Sequence, residues 1–185
     1  MEQPIIVKNH YTLQTFTDFA NFHCKKIQGI GYFRYLGFLM IVATMWFFIN
    51  SPTLNLFNLV FNPGIILSLL FIGMSYWIPG NTAKQLYRKC KENDGLTNTI
   101  TFDNLKVVFT SINVETVYFY KQLYKCYETE KYFYVYVRRS TAQIICKADC
   151  NNDDVLILRK FLQHEPNIKF IDKTCSKTAI QQKTA

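Results

Sequence analysis

YLGFLMIVATMWFFI (Tyr35–Ile49) and PGIILSLLFIGMSYWI (Pro63–Ile78) decide how this chain is read. The stretch from Tyr35 to Ala83 that holds both contains no Asp, Glu, Lys, Arg or His. A helix needs about 20 residues to cross the hydrocarbon of a bilayer, and Ile30–Asn50 and Leu59–Pro79 meet that length. Tyr32, Tyr35, Trp46, Tyr76 and Trp77 stand near the ends of the two blocks, as interfacial aromatics do. The reading is a transmembrane helical hairpin with spans at about residues 31–50 and 60–79. A buried pair of helices in a soluble fold is the alternative. About thirty residues precede the first block, which sets it apart from a cleaved signal peptide.

Within the hairpin, Asn62-Pro63 reads as an N-cap followed by proline at the first helical position, and Pro79-Gly80 as the stop of the second helix. The connector NSPTLNLFNLVFN is itself apolar and is expected to lie in the outer interface. The second block carries Gly64, Ser68, Gly73 and Ser75, small residues that permit close helix approach.

Charge gathers outside the hairpin. The net charge is +8; residues 1–34 hold four Lys/Arg against two Asp/Glu, and residues 84–185 hold seventeen against eleven. Lys25, Lys26 and Arg34 precede the first span, and Lys84, Arg88, Lys89 and Lys91 follow the second. One reading is attraction to nucleic acid or another anionic partner; the other, which their placement favours, is the excess of basic residues in short cytoplasmic segments beside spans. It puts both termini in the cytoplasm. The thiols of Cys24, Cys90, Cys126, Cys146, Cys150 and Cys175 are then reduced, and they lack metal-site spacing.

Outward from the hairpin the periodicity changes. Ile5–Leu13 reads as a short strand. Next comes a helix capped by Thr15, with Asp18 in its first turn and Phe16, Phe19, Ala20, His23 and Ile27 on one face. Thr82–Lys91 reads as a short basic helix. From Leu96 the period is two: TNTITF and LKVVFT flank an Asp103-Asn104 turn, VETVYFYKQLYKCYE gives one or two strands, and KYFYVYVR (Lys131–Arg138) returns through QIICK. Asn151–Asp154 cap a last helix with a core stripe of Val155, Leu158 and Leu162, reinforced by Ile157 and Phe161. An isolated strand has no stability of its own, so the N-terminal strand and helix are expected to pack on the C-terminal sheet.

Four segments follow: 1–29, a strand and amphipathic helix; 30–80, the hairpin; 81–165, a sheet domain; and 166–185, a polar tail expected to be disordered. The fold class is an α+β membrane protein, a two-helix transmembrane hairpin plus an antiparallel sheet closed by a C-terminal helix.

This order, with the aromatic-led FYKQLYKCYETEKYFYVYV and the short run Ile144-Ile145-Cys146-Lys147-Ala148-Asp149-Cys150, resembles the YcxB-like family of bacterial membrane proteins. That family reads approximately I-I-P-K-R-x-F at the short run; the lysine is kept here, while Cys146 and Cys150 replace the proline and the aromatic. The resemblance implies a pleckstrin-homology-like domain tethered at the bacterial inner membrane. It supplies no catalytic residues.

No nucleophile, metalloprotease, P-loop or dinucleotide motif is present. YFYVYV lacks the glycines and basic start of RNA-binding sheets, so no nucleic acid is expected. No enzyme activity, cofactor or metal is expected. Arg138, Arg139 and Lys147 form either a basic edge for anionic lipid or a partner, or a solvated hairpin tip. The full set of candidate headgroup or partner contacts is Lys25, Lys26, Arg34, Lys84, Arg88, Lys89, Arg138, Arg139 and Lys147. The leading expectation is a membrane-tethered cytoplasmic module that binds a protein or anionic lipid. The alternative is an accessory subunit of a membrane transporter or enzyme, with the hairpin as its interface.

Overall fold

The computed structural model describes residues 4–50, 62–103 and 105–174. Residues 51–61 of the expected interfacial connector, Asn104 of the expected turn, and the end of the tail, 175–185, lie outside them. The chain divides into two compact units, Met1–Thr15 with Tyr87–Ala185, and Phe16–Leu86.

The first unit is α+β. Among the described residues it holds two four-stranded sheets, ordered β1-β2-β3-β4 and β7-β6-β5-β8. The strands are β1 Ile5–His10, β2 Thr97–Phe102, β3 Lys106–Thr110, β4 Glu115–Phe119, β5 Lys125–Glu128, β6 Tyr132–Arg138, β7 Thr141–Cys146 and β8 Lys169–Asp172. Alternation governs β1, where Ile5, Val7 and Asn9 are buried and Ile6, Lys8 and His10 exposed. It runs antiparallel along β2, from Ile5 opposite Phe102 to His10 opposite Thr97. The last described helix, Asn152–His164, brings Leu158 and Leu162 into one apolar cluster. Ile5, Val7, Ile100, Phe102, Val107 and Phe109 of one sheet join it, as do Cys126, Phe133, Val135 and Ile145 of the other. The core therefore lies between two sheets and a helix.

Asn9 joins the sheets. Its side chain copies a strand edge, donating from Nδ2 to the Ile144 carbonyl at 2.7 Å and accepting the Cys146 N–H at 3.0 Å. The Tyr11 hydroxyl donates to the same Ile144 carbonyl at 3.0 Å. An apolar side chain at position 9 would leave two buried backbone groups without those bonds.

The second unit contains most of α1 (Leu13–Lys26), all of α2 (Gly31–Ile49) and most of α3 (Pro63–Lys89); the Asn152–His164 helix of the first unit is α4. α2 and α3 are long and apolar enough to cross a membrane, and only 6% and 17% of their most apolar windows are buried. Their mutual contact is close. A Cβ on Gly37 would stand 2.7 Å from Ile72 Cγ1 and 3.0 Å from the Ser68 carbonyl, and one on Gly64 2.6 Å from Thr44 Oγ1. The Phe33 and Phe71 rings meet tilted by 35°, with centroids 5.7 Å apart.

Several expectations are corrected. α3 does not stop at Pro79-Gly80 but runs on to Lys89 with Pro79 inside it. The ring removes one donor, and the helical turns on either side carry the break. The cap of α1 is Thr12, not Thr15: Thr15 N–H donates to Thr12 Oγ1 and Thr12 N–H to Thr15 Oγ1, both at 3.2 Å. That reciprocal pair is a capping box built from two threonines. Asn62 does cap α3, accepting the Gly64 N–H at 2.8 Å. Ile157 is exposed, leaving Val155 and Phe161 to flank the α4 stripe. Residues 169–172, expected in a disordered tail, form β8, which runs parallel to β5 and not antiparallel. Ile168 is buried and Phe170 packs on the core, so the chain turns back after Pro166 to cover them.

Candidate interaction surface

Charge in the first unit is built around a carboxylate that strand alternation turns inward. Glu128 ends β5 two residues after Cys126, so both side chains lie on the core face, opposite Phe133 and Val135 of β6. The Glu128 side chain is fully buried. Burying a carboxylate alone is costly, and here two cations meet it. Arg159 of α4 donates from Nε at 2.9 Å to each oxygen and also from its terminal nitrogen. Lys147 Nζ lies 2.5 Å from Oε1 and 4.7 Å from the Phe133 ring centroid. The hydrogen bond to Glu128 raises the proton affinity of Arg159 against the opposing effect of burial. Asp172 of β8 is held below the usual carboxylate range. The Thr174 hydroxyl and N–H do most of this, at 2.6 and 2.7 Å, with Arg159 and Lys147 adding to it. This cluster ties β5 to α4 and to the turn that follows β7. Its carboxylate is sealed from solvent and saturated by cations, which suits a lock and not a proton-transfer group.

Of the candidate contacts, Lys147 is engaged: its ammonium meets Glu128, and 13% of its side chain is exposed. Arg34 is also engaged. Its Nε donates to Ser75 Oγ at 3.1 Å and its guanidinium lies 4.0 Å over the Tyr76 ring, cross-linking α2 to α3. Lys25, Lys26, Lys84, Arg88, Lys89, Arg138 and Arg139 are exposed. Arg138 borders a cleft of about 420 Å³ with Val117, Tyr118 and Gln122. Lys25, Lys26 and Arg34 are brought around one concavity in the second unit. Of the small residues in α3, Gly64, Ser68 and Ser75 are used inside the hairpin, while a Cβ on Gly73 would meet nothing within 4 Å.

Glu128, Arg159 and Asn9 escaped the reading of the sequence. Their signal is a polar residue standing in phase with buried ones: Glu128 with Cys126, and Asn9 with Ile5 and Val7. Among the described residues no three His, Cys, Asp or Glu side chains converge as a metal site would. The thiols of Cys126, Cys146 and Cys150 hold their protons. Burial, then the negative charge of Asp149, pushes Cys146 up to about 12. Burial, then Asp154 and Asp149, pushes Cys150 up to about 11. Burial also raises Cys126.

No curated protein and no solved structure matches this chain. Glu128, Lys147 and Arg159 all fall between Phe102, the last residue of β2, and Leu162 of α4. Residues 102–162 match the family described as YcxB-like protein, and this part of the chain is a YcxB-like domain.

Proposed function

We propose that this protein is a membrane-tethered interaction module of the bacterial inner membrane. In this reading α2 and α3 span the bilayer, both termini are cytoplasmic, and the two-sheet unit is a pleckstrin-homology-like domain that binds a protein or anionic lipid. It has no enzymatic role.

One observation carries the reading. The outward side chains of the helix pair, Phe38, Leu39, Val42, Phe47, Leu69 and Leu70 among them, are more than half exposed. An apolar surface of that extent is stable only against another apolar phase. The sole charged group on α2, Arg34, lies in its first turn, and the charges of α3 begin at Lys84. Basic residues at both flanks favour the cytoplasmic side, and two spans return the chain to the side it left. A helix and two sheets around one core support the pleckstrin-homology-like reading.

A Ser140→Cys chain tests the topology, because Ser140 is exposed in the β6–β7 turn. The added thiol should resist a membrane-impermeant maleimide in intact cells and react once the membrane is opened. Labelling in intact cells overturns the cytoplasmic placement. Release of the chain from membranes by alkaline carbonate overturns the spanning helices.

A further inference from the structure

The elbow between α1 and α2 borders an open cavity of about 960 Å³. It is rigidly made. Ile27 and Gln28 N–H both donate to the His23 carbonyl at 2.9 and 3.1 Å, Ile30 N–H donates to the Cys24 carbonyl at 2.9 Å, and Gly29 turns the chain at φ 70°. A left-handed turn of this kind uses glycine to close a helix end.

The lining changes character along its length. Lys25, Lys26 and Gln28 form one end; Tyr32 and Tyr35 follow; Phe38 lies about two turns along α2, on the apolar helix. Arg34, pinned by Ser75 and Tyr76, supplies a fixed cation. No anion of the neighbouring sequence answers these charges, since the chain has no Asp or Glu from Phe19 to Lys91. A site with cations at one end, aromatic rings in the middle and an apolar far end is complementary to an anionic amphiphile. It is not complementary to a soluble anion, which would leave the apolar end unused.

We propose that this cavity binds one anionic phospholipid, with its phosphate at the Lys25 and Lys26 end and an acyl chain along Tyr35 and Phe38. The proposal rests on the membrane reading of α2 and α3, and names a lipid partner at their cytoplasmic boundary. The lipid becomes part of the elbow, in contrast to the diffuse attraction that any basic flank exerts on an anionic surface.

The full chain in detergent micelles, titrated with phosphatidylglycerol or phosphatidylcholine and read by native mass spectrometry, tests it. Phosphatidylglycerol should be retained and phosphatidylcholine lost. Lys25→Gln with Lys26→Gln should lower retention about tenfold, since each cation near a lipid headgroup contributes appreciably. Gly31→Phe keeps every charge and places a ring in the cavity, where a Cβ at Gly31 meets nothing within 4 Å; it should lower retention as much. Lys84→Gln with Lys89→Gln removes the same charge elsewhere and should change retention less than twofold. Equal losses from the two lysine pairs, full retention by Gly31→Phe, or equal retention of both lipids overturns the proposal. Displacement of the lipid by millimolar inorganic phosphate overturns its lipid identity. Failure of the spanning reading is seen separately, as release of the wild-type chain from membranes by alkaline carbonate.

Discussion

Asn9 shows how much one side chain carries. It sits in a strand position whose neighbours Ile5 and Val7 are apolar and buried, yet a leucine there could not hold β7. Its amide replaces a missing backbone rung, serving Ile144 and Cys146 at once. Asn9→Ala strands the buried Cys146 N–H, which costs about 1–3 kcal/mol when unsatisfied, and leaves the Ile144 carbonyl with the Tyr11 hydroxyl as its side-chain donor. The thermal midpoint of the full chain should fall by more than about 5 °C, given the usual conversion for a domain of this size. Asn9→Asp should recover little, since an ionised carboxylate cannot donate to Ile144. A midpoint within a degree of wild type would refute the joining role.

Between elements, the Glu128 cluster and the helix pair make opposite uses of polarity. Two cations share one carboxylate, so either should suffice to neutralise it. Lys147→Met and Arg159→Met are each expected to cost about 1–2 kcal/mol. The double variant strands a buried carboxylate, and its cost should exceed the sum of the two by at least about 1 kcal/mol. Denaturant titrations of the four chains read the coupling, and strict additivity would show that the two cations act independently. In the hairpin the deciding quantity is space. Gly37→Leu drives a side chain into Ile72 and the Ser68 carbonyl and should separate α2 from α3, lowering the denaturant needed to lose helicity. Gly73→Leu, with nothing within 4 Å of its Cβ, should leave that midpoint unchanged. Loss of a captured partner from the Gly73→Leu chain alone would favour the accessory-subunit alternative, because that glycine is not used inside the hairpin.

What the sequence disclosed at this level follows from the range of the forces. Strands β2, β3, β6 and β7 are legible because period-two alternation is local, and α4 because three apolar residues at helical spacing are local too. Glu128 with Arg159, 31 residues apart, is not legible, because the partner is chosen by the fold. β8 hides for a related reason. KFID has too few apolar residues to announce a strand, and only the open edge of β5 makes it one. Pro79 misleads in the other direction, since a local rule about proline is outvoted by the long helix around it.

For the whole molecule, the buried acids give a definite pH response. Burial raises Tyr11 and Cys146 to about 12 and Cys150 to about 11, against ordinary values of 10.0 and 9.0. Burial raises Tyr120 and Cys126 further. The unfolded chain gives up these protons first, so above about pH 9 it binds fewer protons than the folded chain. Stability then falls as pH rises. Unfolding free energy should be nearly flat from pH 7 to 8 and drop steeply through pH 9 to 11, as equilibrium denaturation at each pH would register. A flat profile to pH 11 would mean that these thiols and phenols are solvated.

The pairing of β1 with β2 also sets an order of events in synthesis. β1 leaves the ribosome before both apolar helices, and its partner follows only after them. The N-terminal strand must wait, unpaired, while α2 and α3 are made and delivered. Folding of the sheet domain is thereby placed after disposal of the hairpin, so the completed domain is a record that the hairpin has already been dealt with.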